Sequence, residues 1–211
     1  MSGLTHDARR IQPDDLERLR RTVIGHFAED MHHRVRIRAI CEEARVSTKT
    51  VYKYFGSKEA LLLACIEPDL QALTDRAEAM AREADTPTDA LFALGAAQFS
   101  FYAARPAVAR IVFLNLPAAY WIEQVSPAQT AFQALLDRVL RAAREHGAIT
   151  LPPGASGELV RDIVNGAAYR VITRWLLDGS REDLVTRGRR FAEVIAQALD
   201  VGASDAAGSG G

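Results

Sequence analysis

The sequence is poor in cysteine, has no long uncharged run and carries almost no strand pattern. Its two cysteines, Cys41 and Cys65, sit in apolar, helically periodic settings, which fits small buried thiols better than a disulfide framework or a metal site. The longest stretch without a charge, Ala90 to Ala104, is fifteen residues, short of the roughly 18–20 that a bilayer crossing requires. No transmembrane helix is expected. The N-terminus, MSGLTHDARRIQPDD, places no apolar segment behind its charges, so no secretory signal is expected and the cytoplasm is the expected compartment. No segment joins β-branched enrichment to alternation over more than a few residues. There is also no G-x-S-x-G elbow, G-x-G-x-x-G loop, Walker loop or H-E-x-x-H pair, so neither an enzyme nor a cofactor is expected. Asp30, His32 and His33 are close in sequence, but adjacent histidines leave a helix in different directions, so solvated surface is expected there and no metal.

What is present is helical and unevenly charged. The chain has 211 residues, 48% hydrophobic and 25% charged, the composition of one or two soluble globular domains. Residues 1–64 carry twelve Lys and Arg against nine Asp and Glu, a net charge of +3, and the remainder carries −4. All three lysines, Lys49, Lys53 and Lys58, fall within ten residues, and four of the five histidines lie in the same first part. A basic head on an acidic body points to an anionic partner for the head.

Leu16, Leu19, Val23 and Phe27 recur at three- and four-residue steps behind Pro13-Asp14-Asp15, predicting a first helix over 14–31. Val35, Ile37, Ile40, Cys41 and Ala44 predict a short second helix, Arg45-Val46 a turn, and Ser47 the N-cap of a third helix through Tyr54. Gly56 ends it, and Ser57 caps the next. Prolines then punctuate helix-sized gaps, predicting helices over 57–84 (kinked or restarted at Pro68), 87–104, 106–116, 126–146, 156–178 and 181–200, with Gly147 and Gly179 as C-terminal caps. The expectation is an all-α chain of about nine helices: a flexible arm over 1–13, a basic helical head over 14–66, a helical body over 67–201 and a disordered tail over 202–211. No internal repeat is found.

Two short helices joined by a tight turn, the second rich in hydroxyls, lysines and tyrosines, match the geometry by which a helix-turn-helix enters the major groove. Ile40, Ala44, Val46, Val51 and Phe55 are spaced to close a small core with Phe27. Ser47, Thr48, Lys49, Thr50, Tyr52, Lys53 and Tyr54 are left on or near the outside, suited to phosphates and base edges. The string from Ile40 to Leu61 resembles the DNA-binding signature of TetR-family transcriptional regulators, with Val46, Ser47, Thr50, Tyr52, Tyr54, Phe55, Ser57, Lys58 and Leu61 in register. The resemblance spans about residues 14–66.

It implies a recognition helix over 47–54 with Thr48, Lys49 and Thr50 facing bases or the adjacent backbone. It further implies Tyr52 and Tyr54 on phosphates, Lys58 gripping the backbone beside the groove, and Arg36 and Arg38 reaching the flanking strand. Arg9 and Arg10 are placed as a minor-groove arm, with a plain disordered tail as the alternative. Three positions depart from the pattern. Arg45 stands where the family has glycine, at a cost of about 1–2 kcal/mol if that backbone is left-handed, and adds a positive charge near the DNA. Met31 stands where glycine often ends the first helix, and Arg36-Ile37 replace a threonine cap.

In the body, small and apolar residues on the last two predicted helices (Ile163, Gly166, Ala167, Val171 and Trp175; Leu184, Gly188, Phe191, Ile195 and Leu199) fit the two-fold dimer interface that the resemblance implies. Gln98, Phe99, Tyr102, Phe113, Asn115, Tyr120, Trp121, Phe132, Asn165 and Tyr169 are candidates for lining a pocket for a mostly apolar small molecule, or equally for a core. The function expected is a homodimeric repressor of a palindromic double-stranded operator, released by a small effector. The alternatives are a ligand-independent DNA-binding protein whose body recruits a protein partner and, below that, an all-helical carrier or enzyme.

Overall fold

A computed structural model of the chain describes residues 12–116, 126–147, 149, 156–179, 181 and 183–205. Among these the protein is all-α: α1 (Pro13–Glu29), α2 (Ile37–Ala44), α3 (Thr48–Phe55), α4 (Lys58–Arg82), α5 (Pro87–Ala104), α6 (Pro106–Arg110), a π-helical turn (Ile111–Asn115), α7 (Pro127–Glu145), α8 (Gly157–Leu177) and α9 (Leu184–Asp205). Local chemistry sets most of these limits. Ser47, Ser57, Thr86 and Ser156 each accept a backbone N–H from the first turn of the helix that follows, a cap that contributes roughly 0.5–2 kcal/mol. Gly56, Gly147 and Gly179 hold the positive φ that ends a helix at low steric cost. α4 runs unbroken through Pro68. The proline deprives the Ala64 carbonyl of its helical donor, and next to it Arg20 Nε donates to the Cys65 carbonyl at 3.0 Å while its Nη2 pairs with Asp69 at 2.5 Å.

The chain forms two units. One ends at Leu70 and regains the chain from Pro106 to Ser126; the other takes Gln71–Arg105 and everything from Pro127. The first unit's core is Leu19, Val23 and Phe27 of α1, Ile40 and Ala44 of α2, Val51 of α3 and Leu61, Leu62 and Ile66 of α4, all essentially solvent-free. Burial of each large side chain stabilises by about 1.5–3 kcal/mol. Val46 and Phe55, expected in this core, are only partly covered. Cys41 and Cys65 are buried and free, and desolvation pushes the Cys65 thiol up to about 12.

The segment 106–116 departs from its expected place twice: it is not one regular helix, and it belongs with the head rather than the body. The reason lies in α1, whose last carbonyls lack helical donors and have no glycine cap after them. Asn115 Nδ2 donates to the carbonyls of Phe27 and Ala28 at 2.8 and 3.0 Å, and Arg110 Nε donates to Ala28 at 3.0 Å. The Asn115 carbonyl in turn accepts the His32 N–H at 3.0 Å. The wider π turn, closed by Leu116 N–H on the Ile111 carbonyl at 3.1 Å, is a local departure of the kind that recurs at functional positions.

In the second unit α5 packs on α9 and α7. Gly188 lets α9 approach α5 closely: a Cβ there would stand 2.6 Å from Phe99 Cγ. Phe99 is fully buried, and its ring lies 5.4 Å from that of Phe191 at 48°. Leu184, Gly188, Phe191 and Ile195 therefore turn into their own unit, which corrects their assignment to a dimer interface. α9 also continues to Asp205, into the tail expected to be disordered; residues 206–211 lie outside the described residues, as do Arg9, Arg10, Tyr120, Trp121 and the Leu199 side chain.

Candidate nucleic-acid interface and ligand cavity

α2 and α3 are eight-residue helices joined by a left-handed turn. Arg45, at φ 56° and ψ 37°, closes α2 with its N–H on the Cys41 and Glu42 carbonyls, and Val46 N–H returns to Cys41 at 3.0 Å. It is the only non-glycine residue of positive φ among the described residues, so the strain foreseen for an arginine at a glycine position is present. Arg45→Gly is expected to raise stability by about 0.5–1 kcal/mol, the left-handed penalty less glycine's entropic cost. A urea midpoint that falls would contradict this.

Ser47 starts α3: its Oγ accepts the Thr50 N–H at 3.0 Å and lies 2.7 Å from the Thr50 hydroxyl. Both hydroxyls are thus set by the cap before any outside partner arrives. Val51 anchors the helix in the core, and Thr48, Lys49, Tyr52 and Lys53 project from the opposite side, Tyr52 at 49% exposure. Thr50 and Tyr54 are half-covered, and Lys53 Nζ stands 5.3 Å from the centre of the Tyr54 ring. Arg36 is exposed at the start of α2, and the exposed Arg38 Nε donates to Glu42 at 2.8 Å.

Lys58 is engaged elsewhere than expected. Its Nζ donates to the His32 carbonyl at 2.7 Å and to the Val35 carbonyl at 3.3 Å. Two of its three N–H groups thus tie the α1–α2 loop to α4, where a backbone-gripping role had been expected. His32 is no solvated loop residue either: it leans on the Phe27 ring with centroids 5.7 Å apart, and its Nε2 stands 3.1 Å from the Glu59 carboxylate. Burial first, and the Lys58 ammonium next, hold the imidazole below its usual 6.5, against an opposing pull from Glu59. Below pH 6.5 the unfolded chain therefore binds the proton before the folded one, so stability present above that pH is lost as pH falls through the lowered value. Thermal unfolding from pH 7.5 down to 5.5 is expected to show this decline, and His32→Asn to flatten it; an unchanged slope would assign the decline to other groups.

The second unit holds an apolar cavity of about 360 Å³ between α5, α7, α8 and α9, walled by Leu91, Phe92, Phe132, Leu136, Ile149, Val164, Phe191 and Ile195 and dotted with Thr88, Gln98, Asn165 and Gln197. No charged side chain lines it among the described residues. Of the residues expected to line a pocket, Gln98, Phe132 and Asn165 do so. Phe99 and Tyr102 are core: Phe99 lies under Gly188, and Tyr102 packs edge-on to Phe101 at 5.2 Å with its hydroxyl pushed upward by burial. Phe113 and Asn115 belong to the first unit, and Tyr169 is exposed. Phe191 and Ile195 were missed as pocket residues because their apolar spacing fits a dimer face equally well.

A left-handed turn between two short helices, the second anchored by Val51 and offering hydroxyls, lysines and a tyrosine outward, defines a helix-turn-helix DNA reader. Residues 26–65 match the family of bacterial regulatory proteins named tetR. The chain is 22% identical over 175 residues, 82% of its length and 89% of the relative's, to the Fatty acid metabolism regulator protein of Bacillus subtilis (strain 168). Its fold matches the fatty acid degradation regulator FadR of Bacillus halodurans at TM-score 0.75, with 20% identity over 88% of this chain and 96% of that one. It also matches FadR of Bacillus subtilis, crystallised with stearoyl-CoA, at TM-score 0.74, with 20% identity over 85% and 97%. The match to the tetR family of bacterial regulatory proteins thus falls on the helix-turn-helix segment, residues 26–65, and the similarity to the fatty acid regulators extends over the fold of the rest of the chain. No helix among the described residues is long and apolar enough to cross a membrane.

Proposed function

We propose that the protein is a cytoplasmic, non-enzymatic, homodimeric repressor that leaves a palindromic operator when a long-chain acyl ligand fills the cavity of its second unit. The observation that carries this reading is the cavity: about 360 Å³, apolar, and walled among the described residues by no charged side chain, with the amides of Gln98, Asn165 and Gln197 and the hydroxyl of Thr88, as suits a mostly hydrocarbon ligand. Relatives named for fatty acid regulation, one of them holding stearoyl-CoA, support the acyl class. Leu159, Ile163 and Leu177 on α8 and Val194 on α9 are exposed, Ile163 at 57% and Leu177 at 67%. With the exposed Gly166 they form the apolar surface that supports a two-fold contact; Ala167 and Val171 are half-covered and Trp175 is buried.

In this reading Thr48, Lys49 and Tyr52 meet the DNA first, Thr50 through what its cap leaves free, and Arg36, Arg38, Arg45 and Lys53 supply backbone charge. Selection of bound duplexes from a random library is expected to return a palindrome with half-sites about 34–36 Å apart. On that operator Lys49→Ala is expected to cost about 1–3 kcal/mol and to relax base preference at one position per half-site. Stearoyl-CoA is expected to weaken operator binding by about 5- to 150-fold. Enrichment of no consensus would sink the DNA half of the reading; a ligand that binds without changing operator affinity would sink the induction half.

A further inference from the structure

A second cavity, of about 470 Å³, lies beside the first, and Ile149 walls both. The two are stacked along the same pair of helices. On α7, Leu136 faces the first and Leu140 the second; on α8, Asn165 faces the first and Arg161 the second. Each pair is four residues apart, about 6 Å of helix rise. The walls change character over that distance. Among the described residues the first cavity is lined by no charged side chain, whereas the second is lined by Arg141, Arg144 and Arg161 with Asp137 and Glu158.

Arg161 stands between the two carboxylates, 2.9 Å from Asp137 and 3.6 Å from Glu158, and so takes up both acids. Arg141 and Arg144, three residues apart and exposed, have no carboxylate partner within ion-pair distance among the described residues. An uncommitted pair of guanidinium groups on one helix face, at the mouth of a recess, suits an oxyanion with several acceptor oxygens. Guanidinium binds phosphate through paired N–H bonds that neither a hydroxyl nor an amide headgroup satisfies.

From this juxtaposition we infer that the two cavities form one bipartite site for a linear amphiphile. The acyl chain occupies the uncharged cavity, and Arg141 and Arg144 bind the phosphate of a phosphorylated headgroup. The inference rests on the acyl-ligand reading above and deepens it: the preferred effector is a phosphorylated acyl ester or thioester rather than the free acid. Gln98 and Asn165, the amides of the first cavity, are then available to the polar atoms where chain and headgroup join.

The test is titration calorimetry of the full chain with stearoyl-CoA, a stearoyl lysophosphatidate, stearate and coenzyme A alone, each below its micellar concentration. Stearoyl-CoA is expected to bind at least about tenfold tighter than stearate. The double variant Arg141→Gln/Arg144→Gln is expected to lose that margin while holding stearate as the wild type does. Both positions are exposed, and an unchanged melting temperature establishes that the variant is folded. Lysophosphatidate that matches stearoyl-CoA assigns the preference to any phosphorylated chain; lysophosphatidate that binds no better than stearate assigns it to the coenzyme A headgroup, whose own binding, if measurable, must weaken in the variant. Either result supports the site. A double variant that binds both phosphorylated ligands like the wild type overturns the inference and leaves the acyl cavity standing. Silence from all four compounds overturns the acyl-ligand reading as well.

Discussion

Asn115→Ala is expected to destabilise the DNA-binding unit by about 2–3 kcal/mol, because it strips the carbonyls of Phe27 and Ala28 of a shared donor in a buried setting. In a unit of this size that is roughly 4–8 °C of melting temperature per kcal/mol. Asn115→Asp is the sharper variant. It keeps the shape and replaces an N–H donor by a second acceptor, so two backbone carbonyls face a carboxylate, and the loss is expected to exceed that of alanine. Operator affinity should fall along with stability, since α1, whose end this clamp holds, supplies Leu19, Val23 and Phe27 to the core on which α3 rests. Thermal melts of the three proteins decide the matter. Equal melting temperatures would mean that water or neighbouring N–H groups satisfy those carbonyls without Asn115.

The second large effect is expected at Gly188. A Cβ at this position would stand 2.6 Å from Phe99 Cγ and 2.8 Å from Phe99 Cβ, and the phenyl ring, fully buried and packed on Phe191, has little room to retreat. Gly188→Ala is therefore expected to cost about 1–3 kcal/mol as overpacking, even though alanine is the better helix former. Phe191 walls the apolar cavity of the second unit, so under the acyl-ligand proposal the same change should weaken stearoyl-CoA binding. The smaller partner offers relief: in a double-mutant cycle Phe99→Leu should cost less in the Gly188→Ala background than in the wild type, leaving a coupling of about 0.5–3 kcal/mol. Additive effects in urea unfolding would show that α9 moves away as a whole and that the ring is not the obstacle.

Much of this protein is legible along the chain because its signals are local. The N-caps at Ser47, Ser57 and Ser156, the prolines that open α1 and α5 and the glycines that close α3, α7 and α8 act within a turn of where they stand. So does the pattern that places Val51 inward and Lys49 outward. Even the strain at Arg45 follows from one residue standing where glycine is usual. These suffice for an all-helical chain with a DNA reader at its head.

Only the tertiary structure decided which helix faces meet. An apolar stripe on α9 reads alike whether it covers a neighbouring α5 or a second copy of the chain, and the contact of Gly188 with Phe99 resolves it inward. Lys58 carries the same charge whether it grips DNA or loop carbonyls, and the nearness of His32 and Val35 commits it to the loop. Asn115 reads as a polar residue in an apolar segment and becomes a clamp because α1 ends 86 residues earlier with carbonyls to satisfy. Caps and helical periods are short-range properties and survive in one dimension. Partners brought together across tens of residues exist only after the chain has folded.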